Sequence, residues 1–292
     1  MRPRTWGVLA ALAAAATFAA VNVAGRFALG RGVQPLWMAA FTYLGGGLLM
    51  LPHARRAKLA PAERLRMGLV ILCGAVAAPL LLFFGLQRTG AADASLVLNL
   101  EMGATTVLAI AFLRERLGMA EALGVALLAA GAIVVSAASG ARGGSTLVGV
   151  LLVAGAALLW AMDNTLSTPL SRTHDPRALI AVKTLGGGVV VLSAALVLAG
   201  APGGDPLAWA VALASGAVGV AVSSVLFYVA LARIGAARTT ALFATSGLFG
   251  VTLAALALRE PLTAAHFVAA ALCVLGAGAL LVRTDRTDMT IG

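Results

Sequence analysis

A chain of 292 residues that is 61% hydrophobic and 11% charged, with a mean hydropathy of +1.00, lies far from a soluble domain, where about 25% of residues are charged. At about 20 apolar residues per helical span, this length holds about ten spans with short loops. That leaves no room for a soluble domain, excludes aqueous nucleic-acid or phosphate-cradle chemistry, and makes the net charge of +10 a matter of loop placement.

The expected fold is an all-α integral membrane protein. Arg2 and Arg4 precede an apolar run from Trp6 to Val23 that continues through Phe27 and Leu29. Basic, apolar and small-residue regions in that order mimic a signal peptide, but the run is too long for one and nine more spans follow. It is read as the first helix, uncleaved. Pro35 opens a second helix that reaches Pro52 and carries Gly45-Gly46-Gly47. The most basic loop follows, with Arg55, Arg56, Lys58, Arg64 and Arg66, and Pro61 suits a first helical turn there. The third span is Gly68–Leu86, with Pro79 as a candidate kink. The fourth runs from about Ala94 to Leu113 and the fifth from about Leu117 to Ala138. After a Gly-rich linker at 140–144 come spans at Leu147–Leu170, Ala178–Ala199 with Gly186-Gly187-Gly188, Leu207–Leu231, Ala236–Leu258 and Thr263–Val282. Cys73 and Cys273 sit in apolar runs and are read as small hydrophobes.

Leu86-Gln-Arg-Thr-Gly-Ala-Ala, an apolar run and Leu113-Arg-Glu115 occur again as Leu231-Ala-Arg-Ile-Gly-Ala-Ala, an apolar run and Leu258-Arg-Glu260. Arg88 matches Arg233, Gly90 matches Gly235, Arg114 matches Arg259 and Glu115 matches Glu260, all at an offset of 145 residues. Gly131-Ala132 matches Gly276-Ala277 at the same offset. The front of each half matches at 142: Gly7-Val8-Leu9 with Gly149-Val150-Leu151, Asn22 with Asn164, Gly45-Gly46 with Gly187-Gly188. Charged matches in so apolar a chain are evidence of duplication. The expected units are a five-helix repeat over 1–140 and a second over 141–292, together one transport domain.

Orientation follows from the positive-inside rule. With the N-terminus in the cytoplasm, fifteen Lys and Arg residues fall inside, from Arg2 and Arg4 through the basic loop to Arg283 and Arg286. Five fall outside: Arg26, Arg31, Arg88, Arg142 and Arg259, with Lys183 left inside a span. Both termini are then cytoplasmic. Five is odd, so the two repeats cross the membrane in opposite directions. Inverted repeats are typical of secondary transporters, with a substrate site near the midplane.

This pattern resembles the drug/metabolite transporter superfamily, in its ten-helix EamA-type branch. There each repeat ends its fourth helix with an apolar run into Glu and continues into a Gly-rich fifth helix, as Leu113-Arg-Glu115 and Leu258-Arg-Glu260 do here. The chain departs from many members in having no Pro within the fourth or ninth span. The resemblance covers nearly the whole chain. It implies export of small metabolites through a bacterial inner membrane, with amino-acid exporters of the YddG type as neighbours.

Polar groups inside spans are costly and face a bundle interior or cavity. Asn22 and Arg26 lie late in the first helix, Asn99 and Glu101 early in the fourth, Asp163 and Asn164 late in the sixth, Lys183 early in the seventh. At 1.5 Å per residue, Asp163 and Lys183 fall toward the cytoplasmic side and Arg26 and Glu101 toward the outer side. Two gating ion pairs are predicted, Asp163–Lys183 and Arg26–Glu101, one near each mouth. Substrate contacts are predicted at Asn22, Tyr43, Phe83, Asn99, Glu101, Trp160, Asp163, Asn164 and Tyr228, with Phe84 as a further aromatic. Trp160 is one turn before Asp163 and shares its face. The bland alternatives are static ion pairs, interhelical hydrogen bonds and core packing. The Gly runs read as close helix packing, and the repeated Arg and Glu as helix-end residues.

No H-E-x-x-H or G-x-S-x-G occurs, and His53, His174 and His266 lie in loops or at a helix start, so no enzyme, metal or cofactor is expected. The predicted partners are a small-molecule substrate and the lipid bilayer, with no nucleic acid, in a monomer or homodimer. Drug or polyamine efflux and nucleotide-sugar or phosphometabolite exchange are the alternatives. A phosphorylated substrate wants several buried cations, and only Arg26 and Lys183 are candidates. Proton coupling through Glu101 or Asp163 and simple facilitation both stay open.

Overall fold

The computed structural model describes residues 3–113, 119–142, 144–171, 173–234, 239 and 242–282. Among the described residues all regular structure is helical, as a bilayer demands of a backbone that must satisfy its own hydrogen bonds. The helices are α1 (Pro3–Gly30), α2 (Pro35–Ala54), α3 (Pro61–Leu86), α4 (Ala91–Val97) and α5 (Leu100–Leu113). They continue as α6 (Met119–Arg142), α7 (Gly144–Ser171), α8 (Pro176–Leu198), α9 (Pro206–Ile234), α10 (Ser246–Leu258) and α11 (Ala264–Val282). Among the described residues seven helices are long and apolar enough to cross a membrane, and α10 and the apolar part of α11 are shorter apolar helices. The chain forms ten transmembrane segments in two inverted five-helix repeats.

Local chemistry sets the helix ends. Proline stands in the first turn of α2, α3, α8 and α9, where its missing N–H costs nothing. Asp175 and Asp205 cap α8 and α9 by accepting the backbone N–H of Arg177 and Ala208. Inside the spans, hydroxyls turn back on their own helix: Thr17 to Ala13, Ser136 to Ala132, Thr165 to Ala161 and Thr184 to Ile180. Leu196, Val197, Leu256 and Phe267 are exposed, which suits the lipid-facing surface of such a bundle.

The repeat extends to the irregularities. The third segment of each half carries a π-helical stretch, Leu72–Ala77 in α3 and Ser215–Val222 in α9. Pro79 follows the first stretch, but α9 has no proline there, so Pro79 alone does not explain the distortion. The fourth segment is broken at Leu98–Asn99, between α4 and α5, and its mate has a turn at Ala244–Thr245 before α10. The predicted single fourth helix from Ala94 is therefore two pieces and starts earlier. Glu115, with Arg114, and Gly235 lie outside the described residues.

Packing exchanges helices between the halves. The first helix of each repeat packs on the other repeat: α1 lies against α9 and α10, while α7 lies against α3 and α5. The second helices α2 and α8 pack together, as do the fifth helices α6 and α11. Glycine permits the α2 contacts. A Cβ on Gly45 would overlap the Leu213 backbone of α9, and one on Gly47 or Gly188 would press on Leu185 or Leu44 across the α2–α8 interface. Packing is thus the role the geometry gives these runs.

Candidate functional site

Six polar side chains of the spans, Tyr43, Glu101, Trp160, Asp163, Asn164 and Lys183, meet among α2, α3, α5, α7 and α8. The π-helical stretch of α3 presents the Gly74 carbonyl to two donors, the Tyr43 hydroxyl at 2.5 Å and the Trp160 indole N–H at 2.9 Å. Gly74 also touches Asp163 so closely that a Cβ there would overlap the carboxyl. Lys183 on α8 donates to Asp163 Oδ2 in an ion pair that joins α7 to α8. The Asp163 side chain is 2% exposed and that of Lys183 is 25% exposed, so the pair has one sealed end and one open end. Asp163 Oδ1 is buried with no hydrogen-bond partner among the described residues. The next residue, Asn164, donates its amide to Glu101 Oε1 at 2.8 Å. Two carboxyls and one ammonium therefore share one centre.

Of the two predicted ion pairs, Asp163–Lys183 forms and Arg26–Glu101 does not. Arg26 instead donates to the Leu86 carbonyl at 3.1 Å, at the C-terminal end of α3 where a cation meets the helix dipole. Glu101 is taken by Asn164. The fourth segment begins at Ala91, three residues before the predicted start at Ala94, and is broken before Leu100. Glu101 lies beside Asn164, next in the chain to Asp163. Asp163, Lys183, Asn164 and Glu101 form one polar centre, in place of the two separate ion pairs.

The other predicted contacts divide. Tyr43 and Trp160 belong to the centre through Gly74. Asn22, the repeat mate of Asn164, donates to the Ser95 hydroxyl at 3.0 Å, which in turn donates to the Ala91 carbonyl. It ties α1 to α4. Asn99 sits in the helix break, buried, with its amide against Gly247 of α10. Phe83 is buried with its ring where a side chain on Gly25 would stand, so it serves packing between α1 and α3. Phe84 offers its carbonyl to Arg88. Tyr228 packs edge-on against Phe227, with ring centroids 6.3 Å apart.

An aromatic row beside the centre escaped the sequence reading. Trp160 contacts Phe18 at 6.0 Å, Phe18 contacts Phe243 at 5.3 Å, and Phe243 contacts Phe227 at 5.1 Å. These rings come from α7, α1, the segment before α10, and α9. Their spacing in sequence carries no common period, so only the exchange of α1 onto the second repeat reveals the row.

The EamA-like transporter family model matches residues 5–137 and again 147–282, one match per repeat. An uncharacterized transporter of Methanothermobacter thermautotrophicus is 31% identical over 279 residues, covering 88% of this chain and 81% of that one. A solved crystal structure of a protein shares the fold at a TM-score of 0.66 and 20% identity, covering 93% of this chain and 98% of its own. With both repeats matched and the inverted architecture in place, the chain is a member of the EamA-like transporter family, a multi-pass membrane protein that moves small molecules.

Proposed function

We propose that the protein exports small zwitterionic metabolites, amino acids first among them, by alternating access, with the Asp163–Lys183–Glu101 centre as its substrate site. The observation that carries this is the sharing of two carboxyls and one ammonium in a single centre, with Asp163 Oδ1 unpartnered. A substrate ammonium can meet Asp163 Oδ1 and Glu101, and a substrate carboxylate can take Lys183 in exchange for Asp163. The carboxylate then replaces the contact it removes and the ammonium gives Asp163 Oδ1 the partner it lacks, which keeps the desolvation cost low. The row of Phe18, Trp160, Phe227 and Phe243 supplies an apolar wall for a side chain.

A drug or polyamine exporter is the second reading, favoured by the formal excess of one negative charge at the centre. Phosphorylated metabolites fit worse, because Lys183 is the one cation in this centre among the described residues and is already paired. We infer a bacterial inner-membrane protein with cytoplasmic termini from the fifteen-to-five distribution of cations. Proton coupling would use Glu101, whose hydrogen-bond partner Asn164 is a neutral amide; facilitation would leave it charged throughout.

Counterflow in proteoliposomes tests the reading. Vesicles loaded with a mixed pool of unlabelled amino acids are offered single radiolabelled ones, with and without a pH gradient. Saturable accumulation of some and not others is expected. Loss of all counterflow from folded protein, with uptake of labelled polyamines or lipophilic cations instead, would move the assignment to the second reading.

A further inference from the structure

The repeated Leu-Arg-Glu motif is not used by the substrate centre, yet its second copy makes one of the firmest contacts between the repeats. Glu260 follows α10 and reaches the N-terminus of α4 in the other repeat. Its Oε1 accepts the Ala91 N–H at 2.9 Å and its Oε2 accepts the Ala92 N–H at 3.0 Å. A carboxylate from elsewhere in the chain thus serves as the cap that Gly90, with no side chain, cannot give. The preceding residue, Arg259, holds a left-handed backbone at φ 55°, uncommon for a residue with a Cβ. That turn points the chain from α10 back to α4.

A second tie lies beside the first. His266, in the first turn of α11, meets Asp93 on α4 at 2.9 Å, with both side chains buried. His266 Nδ1 accepts the Thr263 backbone N–H, so the ring proton sits on Nε2 and is donated to Asp93. Asp93 Oδ2 also accepts from Thr89 and Ser139. Below these ties α4 lies against α10 at backbone range. A Cβ on Gly247 would overlap the Asn99 amide, and one on Gly250 would overlap the Ser95 side chain. All of this is at the face opposite the chain termini, where the Arg31–Asp205 ion pair at 2.5 Å and the Gln34-to-Pro202 hydrogen bond also join the repeats.

We propose that Glu260, with the Asp93–His266 pair, is a positioning residue of the transport cycle: it latches α4 against α10 and so closes the pathway on the face opposite the termini. The inference rests on the alternating-access reading. When that face opens, Glu260 leaves the Ala91 and Ala92 N–H groups to water. Because α4 leads through the break at Leu98–Asn99 into α5, release of α4 also moves the segment that carries Glu101.

The test reads accessibility and needs no substrate, so its failure is separate from a failure of the counterflow assay. In a Cys73→Ala/Cys273→Ala background, one reporter is Ala94→Cys, fully buried on α4. The other is Ser167→Cys, one turn beyond Asn164 toward the terminal face. A membrane-impermeant thiol reagent is applied from each side in turn. Glu260→Ala is expected to speed labelling at position 94 from the opposite face about fivefold, the typical worth of an N-cap, and to slow labelling at 167 from the terminal face. Gly250→Ala, which wedges α10 off α4 without touching Glu260, should shift both reporters in the same directions. Unchanged labelling at both sites, or equal acceleration at both, would overturn the proposal, since a cap that only stabilises the fold loosens both faces alike.

Discussion

Asp163 is the residue on which the centre turns. It touches Gly74, pairs with Lys183, and precedes the asparagine that holds Glu101. Removing one member of a buried pair leaves an uncompensated charge, at a cost of roughly 3–5 kcal/mol. Lys183 keeps part of its side chain exposed, so the lower figure applies. Lys183→Ala and Asp163→Ala should each cut transport more than tenfold and lower the melting temperature. The double variant should recover stability relative to either single change, and recover transport only if the pair serves as a switch and not as a substrate contact. A thermal-shift cycle with counterflow on the same four proteins separates the two. A double variant no more stable than the worse single one would show that the ion pair does not couple these positions.

At the scale of elements, two glycine positions differ in what they tolerate. Gly45 meets the Leu213 backbone, whereas Gly68 has nothing within 4 Å. Gly45→Val should destabilise by about 1–3 kcal/mol, the usual cost of overpacking, and Gly68→Ala should be neutral or stabilising by about 0.5–1 kcal/mol. Detergent-stability curves of the two variants check this. The loop pair Arg31–Asp205 predicts a pH response. The Ala208 N–H, then Arg31, hold the Asp205 carboxyl below its ordinary value. A depressed folded value means the contribution is present above the unfolded value of about 3.9 and is lost as pH falls through the folded one. Stability should therefore decline below about pH 4, and Asp205→Asn should remove that part of the decline. How far the sequence was legible differs by element. Proline at the first turn of α2, α3, α8 and α9 and the apolar runs between loops located most spans within a few residues. The charged repeat, Arg88 with Arg233, also shows as one geometry, each Arg bonding a carbonyl one turn back. The break at Leu98–Asn99 was hidden, because Leu-Val-Leu-Asn-Leu contains neither Gly nor Pro. The π-helical stretches were hidden as well, since a continuous apolar run fits either helix. Nor could the sequence show that Asn164 would hold Glu101 and that the Leu86 carbonyl would take Arg26, which is why the predicted Arg26–Glu101 pair does not form.

For the whole molecule, the exchange of α1 and α7 decides what can fold alone. Periodicity reports which face of a helix is apolar and says nothing about which helix will cover it, so the exchange could not be read from the chain. Its consequence is that the unit 1–140 lacks the α7 surface that covers α3 and α5, and the unit 141–292 lacks the α1 surface that covers α9 and α10. Val150, Val153, Ala156 and Ala157 of α7 are fully buried, as are Ala10, Ala11, Ala14 and Ala15 of α1 within a few per cent. In lipid an uncovered apolar face costs little, but the polar ties do not survive separation. Asn164–Glu101, Trp160–Gly74 and Ser223–Ala14 all cross the split. We expect either half expressed alone to be degraded or to aggregate on solubilisation. The expected linker at 140–144 is helical through Arg142, so this split falls in the last turn of α6; coexpressed from separate reading frames, the halves should still copurify and regain counterflow, because none of these contacts needs the chain to be continuous there. Moving the split to the loop at 173–175, so that α7 stays with the helices it covers, should give a first fragment that is better behaved alone than 1–140. If 1–140 proved as stable alone as that longer fragment, the α7 contacts would not be the ones that hold the first repeat together.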